Sequence, residues 1–87
     1  MNTTELTIEQ ANAIAASRAA TDAWCKANGE ACQAYIAYVR FDASTDGGFY
    51  GYVAARDRLK EANANWKKAS RACKKADKLC KSLGVEA

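Results

Sequence analysis

Apolar and small side chains recur along this chain at steps of three and four residues in two long blocks, and nowhere alternate for long enough to read as a strand. In the first block the positions are Ile8, Ala11, Ala15, Cys25, Gly29, Cys32, Ile36 and Val39, with the rhythm interrupted at Arg18 and Asp22. Those two stand four apart, so they can pair on one helix face. In the second block the rhythm runs unbroken through Tyr52, Ala55, Leu59, Ala62, Trp66, Ala69, Cys73, Ala76, Cys80 and Leu83, as in a coiled-coil seam.

The ends of both blocks carry helix signals. Thr7-Ile8-Glu9-Gln10 matches a capping box, in which a Thr hydroxyl and a Gln three residues later satisfy each other's backbone donors. Asp42-Ala43-Ser44-Thr45-Asp46-Gly47-Gly48 is a strong breaker, and Gly84 is placed to end the second helix in a left-handed conformation. The pattern predicts an all-α antiparallel helical hairpin with helices over about residues 8–42 and 49–83. A flexible start (1–6), a bend (43–48) and a tail (84–87) complete a single domain, 1–87.

Pairing the two seams across the bend sets Ile36 opposite Leu59, Gly29 opposite Trp66 and Ala15 opposite Cys80, the residue numbers of each pair adding to 94 or 95. Gly29 against Trp66 would match the smallest side chain to the largest. A competing pattern treats Asn28-Gly29 as a helix end, which would give a three-helix bundle.

Composition supports helix throughout, since proline is absent and Ala, Lys, Glu and Arg lose little rotamer freedom in a helix. It also predicts a weak core. A chain of 87 residues buries about 60 % of the surface its unfolded form exposes, and an Ala, Cys and Gly seam gains about 0.8 kcal/mol per buried CH₂. Larger apolar groups fall off this seam at Ile14, Trp24, Tyr35, Tyr38, Phe41, Phe49, Tyr50 and Val53. A second packing layer, supplied by a homodimer forming a four-helix bundle, is therefore expected.

The net charge of +3 conceals an asymmetry: residues 1–46 carry three basic and six acidic side chains, residues 47–87 ten and four. The surplus is concentrated in Lys67, Lys68, Arg71, Lys74, Lys75, Lys78 and Lys81. At 100° per residue these span about 140° of arc, nearly opposite the Trp66-Cys73-Cys80 seam. Such a stripe is a solvated face, a docking surface for an acidic protein, or a row of contacts to nucleic-acid phosphates.

Enzymatic chemistry finds no footing: histidine is absent, and no phosphate loop or nucleophile motif is present. No catalytic residue, metal ligand set or cofactor is assigned. Cys25 and Cys32 are seven apart, as are Cys73 and Cys80. Seven helical residues span about 10.5 Å, too far for one metal ion or one disulfide. The expected register makes Cys25 and Cys73 the candidate internal disulfide, although free thiols acting as small seam hydrophobes are favoured.

Six of the eight aromatic residues gather around the bend. Tyr38, Phe41, Phe49 and Tyr50 are expected to form an exposed tip of the kind that marks protein interfaces. The opening Met1-Asn2-Thr3-Thr4-Glu5-Leu6 has neither a basic nor an apolar signal region, and no run of about 18 apolar residues is present, so a cytoplasmic protein without membrane contact is expected. The function expected is that of a small non-enzymatic binding or regulatory protein acting by stoichiometric protein–protein contact, as in phage or mobile-element inhibitors of host machinery. Sequence-nonspecific nucleic-acid binding through the basic stripe is the alternative, and a structural assembly subunit a further one.

Overall fold

A computed structural model describes residues 5–86. Residues 1–4 and 87, within the two terminal segments expected from sequence, lie outside it. The chain is all-helical: α1 covers Ile8–Val39 and α2 covers Gly48–Ser82, packed antiparallel against each other. They form a rod of 69 × 16 × 15 Å.

The capping box forms, Thr7 Oγ1 accepting from Gln10 N and Gln10 Oε1 accepting from Thr7 N, both at 3.0 Å. The same Gln10 reaches across the open end, its amide nitrogen donating to the Leu83 carbonyl at 2.9 Å. At the far end of α2, Gly84 takes φ +73°, and the amides of Gly84 and Val85 bond back to Lys81 and Cys80. This closes the helix in the manner of a Schellman cap.

The bend is built on Asp42. Its carboxylate accepts from the Ser44 amide at 2.9 Å and the Ser44 hydroxyl at 2.7 Å, while its own amide donates to the Asp46 carboxylate. Gly47 and Gly48 follow at φ +94° and +65°, conformations that side chains with a Cβ rarely adopt. One turn later the α2 backbone passes so close to the bend that a Cβ on Gly51 would overlap the Asp46 carbonyl.

α1 runs unbroken through Asn28 and Gly29, so the chain forms two helices and not three. The expected seam of α2 holds from Ala55 onward: Ala62 and Cys80 are buried, and Ala55, Leu59, Trp66, Ala69, Cys73, Ala76 and Leu83 are half-buried, while Tyr52 at its start remains exposed.

The expected seam of α1 does not. Every position from Ile8 to Val39 in that stripe is exposed, Ile8 to 83 %. The inward face lies two residues further on, at Gln10, Ala13, Ser17, Ala20, Trp24, Ala27, Ala31, Ala34, Tyr38 and Phe41, again at steps of three and four. Two residues are about 200° of helix rotation, enough to turn one side of the helix into the other. Gly29 therefore does not face Trp66, and a Cβ on it would meet nothing within 4 Å. Trp24 takes that place, its ring centroid 6.5 Å from that of Trp66.

Polar atoms on this face explain the outcome. Gln10, Trp24 and Tyr38 each bury an apolar body while their polar ends find partners on α2: the Leu83 carbonyl, the Ser70 hydroxyl at 2.9 Å and the Tyr52 hydroxyl at 3.2 Å. The axial alignment expected from the bend is nearly right. Contacts between Ala13 and Cys80, Ala20 and Cys73, and Trp24 and Ser70 have residue numbers adding to 93 or 94.

Candidate functional site

Three surfaces of the rod carry the residues singled out by sequence. At the bend, the aromatic cluster divides. Tyr38 and Phe41 are half-buried seam residues and clasp Tyr52, each with ring centroids 5.8 Å from it. They do not point away as expected, because the rotation of α1 brings them inward. The Tyr38–Tyr52 hydrogen bond, followed by charge repulsion between the two phenols and some desolvation, raises the Tyr38 phenol above its ordinary value, with Arg56 opposing.

Phe49 and Tyr50 do form an exposed pair. Their rings meet edge to face at 6.0 Å, with 73 % and 85 % of their surface accessible. They sit in the first turn of α2, whose start is set by the Asp42 turn. The Ser44 hydroxyl, then the Ser44 amide, holds the Asp42 carboxyl below the usual carboxylate range.

All seven side chains of the basic stripe are exposed on the outer side of α2, and the Asp77–Lys81 pair lies among them at 3.1 Å. Lys67, Arg71 and Lys74 border a shallow depression floored by Trp24, Trp66, Ser70 and Cys73. Sequence reasoning placed no aromatic beside this stripe, because it had turned Trp24 outward from the seam. Lys75 and Lys78 border a second, apolar groove near the open end, between Ala16 and Ala20 of α1 and Ala72, Ala76 and Leu79 of α2.

The cysteines separate by helix. Cys73 and Cys80 face the seam, their thiols donating to the carbonyls of Ala20 at 3.0 Å and Ala13 at 3.3 Å. Cys25 and Cys32 are exposed on α1, Cys32 at the edge of a groove that also includes Asn63 and Trp66 of α2. All four are free thiols. The axial alignment is nearly as expected, but the rotation of α1 leaves Cys25 exposed, and Ala20 meets Cys73 in its place. Among the described residues no group of three or more His, Cys, Asp or Glu side chains is close enough to hold a metal ion, and no helix is long and apolar enough to cross a membrane.

The outer side of α1 is the third surface, and sequence reasoning took it for the interior. No family model, curated protein or solved structure matches the chain.

Proposed function

We propose that this protein is a non-enzymatic binding protein that acts by stoichiometric contact with another protein, presenting Phe49 and Tyr50 at the end of a helical rod. The observation that supports this most is the exposure of these two large rings beside a bend whose backbone is held by several hydrogen bonds. Aromatic side chains bury much area at little entropy cost, and a rigid base lowers that cost further. A regulator or inhibitor of the phage or mobile-element type would work in this way. We further propose that the working form is a homodimer with a four-helix core, since one hairpin leaves many apolar side chains uncovered.

The test is recovery of the tagged protein from its own cells, with and without nuclease, alongside Phe49→Ala and Tyr50→Ala variants. These rings contribute little to the fold, so each variant is expected to keep its helicity and Tm while losing the co-purifying protein. Retention of that protein by both variants overturns the tip as the binding surface.

One observation favours a second reading, in which the basic stripe follows a nucleic-acid backbone. The tryptophan-floored depression rimmed by Lys67, Arg71 and Lys74 places cations beside aromatic surface, a combination suited to single strands. That reading expects nucleic acid to co-purify, binding to fall steeply between low and moderate salt, and both to be lost in the combined Lys74→Glu, Lys75→Glu and Lys78→Glu variant.

A further inference from the structure

α1 carries two stripes at the same three-four spacing, on nearly opposite sides. α2 fills the one that contains Trp24. The other, from Ile8 to Val39, is exposed at every position, although Cys32 and Ile36 also border grooves shared with Gly51, Ala55, Asn63 and Trp66 of α2. We infer that this outer stripe is the self-association face of the protein, on which the same stripe of a second copy packs antiparallel. The inference rests on the dimeric reading above and assigns its face and register.

The exposed area is the first argument. The chain exposes 6708 Å² at a mass of 9.4 kDa, where a compact monomer of that mass exposes roughly 5,000 Å². The surplus of two copies together, about 3,400 Å², lies within the roughly 2,000–5,000 Å² that obligate homodimers bury.

Charge selects the face. The outer side of α2 carries seven cations, so two copies meeting there would repel. The outer stripe of α1 carries one cation and one anion, Arg18 and Asp22, a helical turn apart.

The spacing selects the direction. Parallel packing about a two-fold axis would set Arg18 on Arg18 and Asp22 on Asp22. Antiparallel packing maps the stripe onto itself, with the residue numbers of every pair adding to 47. Ile8 then meets Val39 of the second copy, Ala11 meets Ile36, Ala15 meets Cys32, Arg18 meets Gly29 and Asp22 meets Cys25. The axis passes beside Ala23 and Trp24, the middle of α1. Ala11 and Ile36 match a small side chain to a larger one, Gly29 leaves room for Arg18, and the two Asp22 carboxylates, about 4.5 Å apart along the axis, each lie opposite a Cys25.

Gly29 adds an independent reason. In a helix interior glycine costs about 1 kcal/mol relative to Ala, and no contact within the chain requires it, since a Cβ there would meet nothing within 4 Å. On this face it lets the Arg18 stem of the second copy lie close to the backbone.

Light scattering of the purified protein across a concentration series, combined with thiol cross-linking, tests the inference. The expected mass is twice the 9.4 kDa of one chain, falling to one chain in Ile36→Lys and unchanged in Leu79→Lys, an exposed position on another side. For the register, Ala15→Cys is made with Cys25→Ser and treated with a short bismaleimide. The expected product links position 15 of one copy to Cys32 of the other. Within one helix those positions are about 25 Å apart, beyond the reach of the reagent. A monomer at every concentration overturns both the dimer and its face. A dimer that survives Ile36→Lys but not Leu79→Lys keeps the dimer and overturns the face, and links of 15 to 15 and 32 to 32 overturn the antiparallel register.

Discussion

Trp24 decides which way α1 faces. It packs its ring on Trp66 and donates its indole N–H to Ser70, so one side chain supplies both area and direction. Replacing a half-buried Trp by Ala should cost about 2 kcal/mol or more, while Ser70→Ala should cost about 1 kcal/mol through the lost hydrogen bond. Urea unfolding followed by circular dichroism checks both, and equal losses would assign Trp24 no more than its hydrogen bond. Trp66 is the opposite case: its indole nitrogen is enclosed without a partner, so it stays for its area alone.

Asp42 carries a pH dependence of definite sign. Its carboxyl is held below the usual carboxylate range by Ser44, so the turn it supports is fully formed above that range. The contribution is lost as pH falls through the lowered folded value. A carbon-detected NMR titration should show Asp42 titrating below the usual carboxylate range, and Ser44→Ala should move it upward. An unchanged midpoint in Ser44→Ala would remove the hydroxyl as the cause.

At the scale of elements, both helices and their alignment were legible in the sequence, because caps, breakers and spacing act locally. The Thr7 cap, the glycine pair at 47–48 and the α2 seam all lie where their residue types require. The face of α1 was not legible by the same means. Scoring positions by apolarity favoured Ile8, Cys25, Cys32, Ile36 and Val39 over a face with Gln10, Ser17 and Tyr38 in it, although Arg18 and Asp22 already counted against that choice. A helix apolar on two sides gives a periodicity that fits either side, and side chains with polar ends choose between them by finding partners. The divided fate of the aromatic cluster has the same origin, since turning α1 carries Tyr38 and Phe41 inward and leaves Phe49 and Tyr50 outside.

The bend is the element most sensitive to a single atom. Gly51→Ala would drive a methyl group into the Asp46 carbonyl, and because backbone must move to admit it, a loss of about 1–3 kcal/mol is expected. Thermal unfolding measures this. A variant as stable as the parent would show that the bend and the first turn of α2 are not packed so closely.

The whole molecule is a thin rod, with a radius of gyration of 19.0 Å where a compact chain of this length would have about 12 Å. Its two long sides differ in chemistry: the back of α2 is basic and the back of α1 apolar. In the dimer proposed above, two copies would meet on the apolar side and leave two basic faces outward, with Phe49 and Tyr50 at each end. X-ray scattering of such an antiparallel pair should give a longest dimension near the 69 Å of one rod at twice the mass. Association through the tips would instead give nearly double that length.

All of these proposals depend on which side of α1 meets α2. Nuclear Overhauser contacts in the labelled protein read this directly. The fold described predicts contacts from the Trp24 indole to Ser70 and the Trp66 ring, and from Ala13 to Cys80; contacts between Gly29 and the Trp66 ring, with Trp24 free of α2, would contradict it.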